Sequence, residues 1–319
     1  MTDKPILAVS SCLLGQRVRY NGDAAEFRPL TRKWGKFLKL VPVCPEVGIG
    51  MGTPRPTIRL VKTSDGITIK DPKNDIDYTS EMSEFAQIKS DYLASIGISG
   101  FVFKKDSPSC GLERVKVYRE NNPQATRDGR GLFSMIFTSL YPHIPVIEEG
   151  RLTDPKQAEH FLARVHFFHQ WQEIGKEGWS AEKLMDFHNE NKLFLVSRAP
   201  NSKRELGRFI ATQFEQGEHP ETVALSYMTK AQEFLSVLTK DGRIAHGMER
   251  VMGRFSDRLT AEEKQELVEV ISHFREGSIP RYAPMVLLNH YMNRFGLNDR
   301  MLTRFTKPVP IELGLMSRI

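Results

Sequence analysis

Three cysteines have similar positions in the sequence, each a few residues after a short apolar run. The runs 6–9, 40–43 and 101–103 precede Cys12, Cys44 and Cys110, respectively. Such runs have the length and composition of buried strands. Because ligands bind outside the carboxyl ends of the strands in open α/β sheets, three cysteines at strand ends are able to meet at one point. A shared metal or inorganic cluster is the chemistry that such a meeting point would serve.

The spacing of the cysteines leaves three interpretations open. Reduced cysteines are often buried, so the three are compatible with unrelated positions in the core. A structural zinc site needs a fourth ligand, and no obvious one stands nearby in the sequence. Three thiolates suit a [4Fe-4S] cluster with one open iron, since such clusters normally take four cysteines and an open iron can bind a substrate atom. The odd number of cysteines excludes a complete set of disulfide bonds.

The elements around the cysteines predict an α/β domain with a mostly parallel sheet and flanking helices. Residues 57–70 are typical of a hairpin with Asp65-Gly66 at its turn. Residues 79–96 have helical spacing. The apolar positions that predict the buried face of this helix are Met82, Phe85, Ile88, Tyr92 and Ile96.

Strand patterns end near residue 150, and the rest of the chain predicts an all-α domain. Thr153-Asp154-Pro155 is typical of a helix start with proline in the first turn. Thr260 and Glu263 have the spacing of a capping box before an apolar helical face. We therefore expect two domains, 1–150 and 151–319.

The chain is mildly basic, with 45 Lys and Arg against 39 Asp and Glu and a net charge of +6. Basic residues gather in the segments 28–39, 198–208 and 275–319. Such segments are often only solvated faces, but they are also able to bind a phosphate backbone. No apolar run is long enough for a membrane helix. The apolar stretch 6–9 is too short for a signal peptide, so we expect a cytoplasmic protein.

Three segments around the cysteines have distinctive sequences. They are VSSCLLG and VRYNG at 9–15 and 18–22, PVCPE at 42–46, and KKDSPSCG at 104–111. Together they resemble the signature of the thiouracil desulfidase (TudS) family over about residues 5–150. The helical half resembles a domain of unknown function that is often fused behind the TudS domain. This arrangement is similar to the two-domain RudS type, which removes sulfur from 4-thiouridine in tRNA.

The resemblance implies a cofactor and two catalytic residues. Cys12, Cys44 and Cys110 would bind a [4Fe-4S] cluster whose fourth iron is open for the sulfur of the substrate. Glu46 matches the family's general base, and Ser107 matches its catalytic serine. Ser109 stands closer to the cysteine, where it could instead donate a hydrogen bond to a cluster sulfur.

We therefore expect a non-redox desulfidase that converts 4-thiouridine in tRNA to uridine and releases sulfide. Residues 1–150 would be catalytic, and residues 151–319 would bind tRNA. Two alternatives remain open. The same chemistry could act on free thiouracil or thiouridine, or the chain could be a non-catalytic RNA-binding redox sensor. The sequence predicts no membrane partner and leaves the oligomeric state open.

Overall fold

The structure is a computed structural model that describes residues 4–64, 66–119, 122–297 and 299–316. The chain divides into two compact units, Met1–Thr153 and Asp154–Ile319. The first unit contains both β-sheets, and the second is helical. Each unit is described by itself below.

The first unit combines nine strands and four helices in its described residues. Strands β1 to β9 are Ile6–Ser10, Lys39–Val43, Arg59–Thr63, Gly66–Asp71, Ile76–Asp77, Ile98–Phe103, Val115–Arg119, Asn122–Gly129 and Val146–Glu148. Helices α1 to α4 are Arg28–Arg32, Pro45–Gly48, Thr79–Ser95 and Leu132–Leu140. All three strands predicted beside the cysteines are present.

The main sheet is parallel, with the strand order β2-β1-β6-β9. Its two central strands are buried because their sequences are almost wholly apolar: every residue of β6 is buried, and so are Leu7 to Ser10 of β1. Phe101 and Phe103 on β6 stack at 3.8 Å, and α4 packs against them through Phe133 and Phe137. Burial of each such side chain contributes about 1.5–3 kcal/mol.

A second sheet has the order β5-β4-β3-β7-β8, and β3–β7 is its parallel pair. The predicted hairpin is present, since β3 and β4 pair antiparallel with Thr63 opposite Gly66. Asp65, at the predicted turn, lies outside the described residues. The fold class of the first unit is therefore as predicted, although the sequence patterns gave no indication of β7 and β8.

The second unit contains helices α5 to α12. Their bounds are Pro155–Gly175, Ala181–Arg198, Ser202–Glu215, Pro220–Phe234, Asp241–Met252, Ala261–Arg275, Tyr282–Arg294 and Arg300–Thr306. Asp154 caps α5 by accepting the N–H of Lys156 at 2.7 Å. Thr260 and Glu263 form the predicted capping box. The prediction of a helical second half is confirmed. In the described part of the chain, no helix is both long and apolar enough to span a membrane.

Candidate active site

The three cysteines line one cavity of about 370 Å³ in the first unit. Cys12 lies in a turn directly after β1, Cys44 stands between β2 and α2, and Cys110 lies in the loop after β6. These three strands are neighbours in the parallel sheet, so their carboxyl ends open onto the same cavity. The sheet topology thus brings together residues that are up to 98 positions apart in sequence.

Helix α4 holds the Cys110 loop. The N–H of Gly131 donates to the carbonyl of Gly111 at 2.7 Å, and Ser134 Oγ donates to the same carbonyl at 2.7 Å. A Cβ at position 131 would lie 2.5 Å from the backbone of Ser109. Glycine is therefore required at 131 for the helix to approach the loop so closely.

Two glutamates at the end of β9 hold the other side of this loop. Glu148 accepts the N–H of Leu112 at 2.7 Å, and burial raises its pKa. Glu149 accepts the N–H of Lys105 at 2.7 Å and pairs with Lys104 Nζ at 2.5 Å. The loop is thereby fixed by charge-assisted hydrogen bonds, which are stronger than neutral ones.

The three thiols are free and largely enclosed. Burial raises the pKa of Cys12 to about 11, although the charges of Lys104 and Arg19 act in the opposite direction. Burial also raises the pKa of Cys44 and of Cys110. The hydroxyl of Ser10 hydrogen-bonds to Cys110 and lowers its pKa in part. Thiols in such surroundings ionise only when a metal or another cation compensates for the lost hydration.

The cysteines do not converge on a single ion. Within the described ranges, no group of three or more His, Cys, Asp and Glu side chains is arranged to hold one metal ion. A zinc site needs all its ligand atoms about 2.0–2.3 Å from the same ion. In a cluster of several irons, each thiolate binds a different iron. Three thiols that line one cavity are compatible with that arrangement.

Glu46 lines the same cavity and is held by two neighbours. Its Oε2 accepts Arg55 Nη2 at 2.5 Å and Arg55 Nε at 2.8 Å, in a two-pronged ion pair. Its Oε1 accepts the hydroxyl of Ser109 at 2.6 Å. Because a carboxylate has about four lone-pair positions, one position on Oε1 is left after these contacts.

Ser107 and Ser109 form a chain of hydroxyls that ends at Glu46. Ser107 Oγ accepts the N–H of Cys110 at 3.1 Å and lies 3.1 Å from Ser109 Oγ. Since the proton of Ser109 is donated to the carboxylate, Ser107 must donate to Ser109. The two predicted catalytic residues, Glu46 and Ser107, are thus connected through Ser109.

Several other residues were missed or placed differently by the sequence interpretation. Ser109 contacts Glu46 rather than standing free to serve a cluster sulfur. Arg55 was missed, and its only sequence signal is its position between Pro54 and Pro56. Asp106, by contrast, is a loop residue as its sequence position indicates: it adopts a left-handed backbone conformation (φ 58°) and pairs with Arg127 at 3.1 Å.

Comparisons with known proteins match two parts of the chain to two different families. Residues 7–149 match the family model described as 2-thiouracil desulfurase. A relative from Bacillus subtilis (strain 168), the uncharacterized protein YbbK, is 34% identical over 115 residues, which are 33% of this chain and 73% of YbbK. The chain belongs to the 2-thiouracil desulfurase family. Residues 192–310 match a second family, a protein of unknown function (DUF1722).

Two further similarities were found. The uncharacterized protein YbgA of Escherichia coli (strain K12) is 25% identical over 131 residues, covering 41% of this chain and 77% of YbgA. A solved structure titled [4Fe-4S]-dependent thiouracil desulfidase TudS is 27% identical, with a TM-score of 0.36, and covers 47% of this chain and 94% of that chain. All three cysteines, Glu46 and Ser107 lie inside the part that matches the 2-thiouracil desulfurase family.

Proposed function

We propose that this protein is a [4Fe-4S]-dependent, non-redox desulfidase that converts 4-thiouridine in tRNA to uridine. The observation that carries the proposal is that Cys12, Cys44, Cys110, Glu46 and Ser107 line one cavity in the unit that belongs to the 2-thiouracil desulfurase family. The donor set fits the cluster because three free thiols face a cavity that is also lined by the cations Arg19, Lys104 and Lys105. These cations would offset the negative charge of three thiolates.

The reaction exchanges sulfur for oxygen without a change of oxidation state. Water adds through its oxygen to C4 of the thiolated base, the C–S bond breaks with its electron pair on sulfur, and sulfide leaves. When bound, the cluster would supply a Lewis-acidic iron that accepts sulfur and makes it a better leaving group. The residues of the chain must therefore orient the water, accept its proton and return a proton during breakdown.

Glu46 is suited to accept the proton from water. Arg55 donates two hydrogen bonds to Oε2 and so occupies both of its lone pairs. The remaining lone pair of Oε1 would therefore accept the proton from water. The ion pair fixes the carboxylate plane and thereby the direction from which water is held. A positioned base of this kind contributes about 10²–10⁴-fold in rate.

Ser109 and Ser107 would carry the proton onward. Once Glu46 is protonated, the hydrogen bond from Ser109 can reverse, so that Glu46 donates to Ser109, Ser109 to Ser107, and Ser107 to the reacting group. The donor–acceptor distances of 2.6 Å and 3.1 Å permit this transfer. Ser107 would then be the residue that delivers the proton, and Ser109 a positioning residue between it and Glu46.

The helical unit would bind the tRNA backbone. A stacked nucleoside must be drawn out of its helix to reach a cavity, at a cost of a few kcal/mol that backbone contacts can offset. The segment 275–319 contributes less than the sequence indicated, because most of its arginines are in ion pairs. These pairs are Arg275–Glu249, Arg281–Glu159, Arg294–Glu263, Arg300–Glu190 and Arg304–Glu190. Arg318, also in this segment, lies outside the described residues.

The test is direct. The protein is purified anaerobically and reconstituted with iron and sulfide, thiolated tRNA is added, and the near-UV absorbance of 4-thiouridine is followed together with sulfide release. Loss of the absorbance with one sulfide per base is expected. An intact cluster without any turnover of tRNA or of free bases would contradict the proposal and favour the redox-sensor alternative.

Desulfurisation of free thiouracil or thiouridine is the second candidate function. A cavity of about 370 Å³ is large enough for a single pyrimidine ring, and it is lined by residues of the first unit alone. The same assay with 2-thiouracil, 4-thiouracil and 4-thiouridine separates the candidates: a preference for the free bases over tRNA would favour the small substrates. For either substrate we propose a cytoplasmic location.

A further inference from the structure

A second cavity, in the helical unit, is lined by four cations and no carboxylate. Its volume is about 360 Å³, and its apolar lining comes from α6 and α12. The cations come from different parts of the sequence: α6, the first turn of α7, the last turn of α9 and the segment after α9. They are Lys192, Lys203, Arg250 and Arg254, and we call this site the four-cation cavity.

In the part of the chain that the structure describes, the four cations are left without partners. Over the described residues, none of their side chains forms an ion pair or a hydrogen bond. Two carboxylates close to Lys192 and Arg250 in the sequence pair with other arginines: Glu190 with Arg300 and Arg304, and Glu249 with Arg275. These two glutamates are therefore already used elsewhere.

The arrangement is unfavourable without an anion. Lys203 stands in the first turn of α7, where the helix dipole disfavours a cation. Lys192 and Lys203 also act on the buried imidazole of His188, whose pKa is lowered to about 4, first by burial and then by these two charges. A bound anion would relieve both effects.

We propose that the four-cation cavity binds backbone phosphates of RNA. Arginine binds phosphate through two parallel hydrogen bonds, and lysine adds a compact charge. Two arginines and two lysines that line one cavity are suited to adjacent phosphodiesters, whereas a peptide carboxylate would compensate for only one charge. The inference rests on the proposed function, because it names the residues of the helical unit that would contact tRNA.

The residues of the four-cation cavity differ from the basic segments that the sequence analysis names as able to bind a phosphate backbone. Arg198, within the basic segment 198–208, is buried and paired with Glu159 at 3.0 Å, and Arg304 is paired with Glu190 at 2.6 Å. Of that segment, Lys203 lines the cavity. Arg250 and Arg254 come from a part of the chain that had no basic cluster in the sequence.

The experiment measures binding of a fluorescein-labelled, unmodified tRNA transcript to the full chain by fluorescence anisotropy between 50 and 200 mM NaCl. Arg250→Gln/Arg254→Gln removes the two arginines of the cavity, and Lys192→Gln/Lys203→Gln removes the two lysines. We expect each pair to weaken binding about tenfold at 100 mM salt and to lower the salt slope by about 1.4–1.8, since each phosphate contact contributes about 0.7–0.9.

The matched control is Lys240→Gln/Lys264→Gln, which makes the same change in net charge at two exposed positions outside the cavity. The inference would be overturned if the cavity variants bound tRNA with the same affinity and the same salt slope as the control. The proposal that the protein binds tRNA would still stand in that case. A wild-type protein that does not bind tRNA would overturn both. If the arginine variant does not fold, as judged by circular dichroism, the lysine variant decides the outcome by the same criteria.

Discussion

Glu46 in the first unit and Glu159 in the second are both enclosed glutamates bound by arginine, yet their surroundings differ. Glu46 has one arginine, a serine and a cavity beside it, and its side chain is 14% exposed. Glu159 lies between Arg198 at 3.0 Å and Arg281 at 2.7 Å, and its side chain is 5% exposed. One carboxylate has a free lone pair facing a cavity. The other is enclosed by two opposite charges.

This difference agrees with the role proposed for Glu46 as a base and with a stabilising role for Glu159. Burial raises the pKa of Glu159, but the charges of Arg281 and Arg198 outweigh burial, and the net pKa is lowered. The Glu159 triad therefore stays ionised. The cavity beside it is small, about 30 Å³, and no cysteine lines it. Around Glu46 the protein leaves free thiols, a hydroxyl chain and space. The following predictions test this contrast.

The largest effect is expected from the cysteines. Cys12→Ala, Cys44→Ala and Cys110→Ala should each abolish turnover and reduce iron incorporation, because the chain has no fourth cysteine to replace a lost ligand. Iron and sulfide content and the visible absorbance of the reconstituted protein measure the loss. Full activity in any one of the three variants would show that the cluster assignment is wrong.

The two glutamates should respond oppositely to the same substitution. Glu46→Gln should lose about 10²–10⁴-fold in rate, as expected for a base, while it keeps its cluster and its melting temperature. Glu159→Gln should lower the free energy of unfolding by about 3–5 kcal/mol, because two buried arginines lose their partner. Each variant is the control for the other. Turnover near the wild-type level in Glu46→Gln would remove this residue from the mechanism.

The hydroxyl chain should have a smaller effect. Ser109→Ala should lower the rate by about 10–100-fold, because hydrogen bonds to charged groups contribute about 1.5–3 kcal/mol. A positioning role also predicts a changed pH–rate profile, since Glu46 loses a donor. Ser107→Ala should lose less than Glu46→Gln. The matched control is Ser83→Ala on α3, whose hydroxyl bonds only to its own helix; a rate loss there equal to that of Ser109→Ala would contradict the relay.

The smallest effect concerns acid stability. Because the pKa of Glu159 is lowered on folding, its contribution to stability is complete above its ordinary value of 4.5 and is lost as the pH falls through the lowered value. The melting temperature of the wild-type protein should therefore fall as the pH drops below about 4.5. Glu159→Gln should show a shallower fall. Parallel curves for the two proteins would show that Glu159 makes no contribution to this dependence.

The sequence was sufficient for elements with a strong local pattern. The apolar runs before the cysteines form β1, β2 and β6, and Asp154 and the Thr260–Glu263 pair begin helices as predicted. Helix α3 is present over the predicted range, but only part of the predicted apolar spacing is buried. Its buried residues are Met82, Ala86, Ser90 and Leu93, whereas Ile88 and Tyr92 are exposed. Small residues at 86 and 90 allow close packing, and hydrophobicity alone does not reveal that preference.

The amino-acid sequence by itself determined the change from α/β to helical structure, because this change depends on residue type and local spacing. Its motifs were also enough to propose the three cysteine ligands and the base. The tertiary structure decided which charges are free. Arg55 reaches Glu46 across nine residues, and Ser109 reaches it across 63. Arginines that look like a basic surface in the sequence are neutralised by glutamates far along the chain, as Arg304 is by Glu190. Pairing over such distances depends on how helices and strands pack, and one-dimensional charge patterns do not contain it.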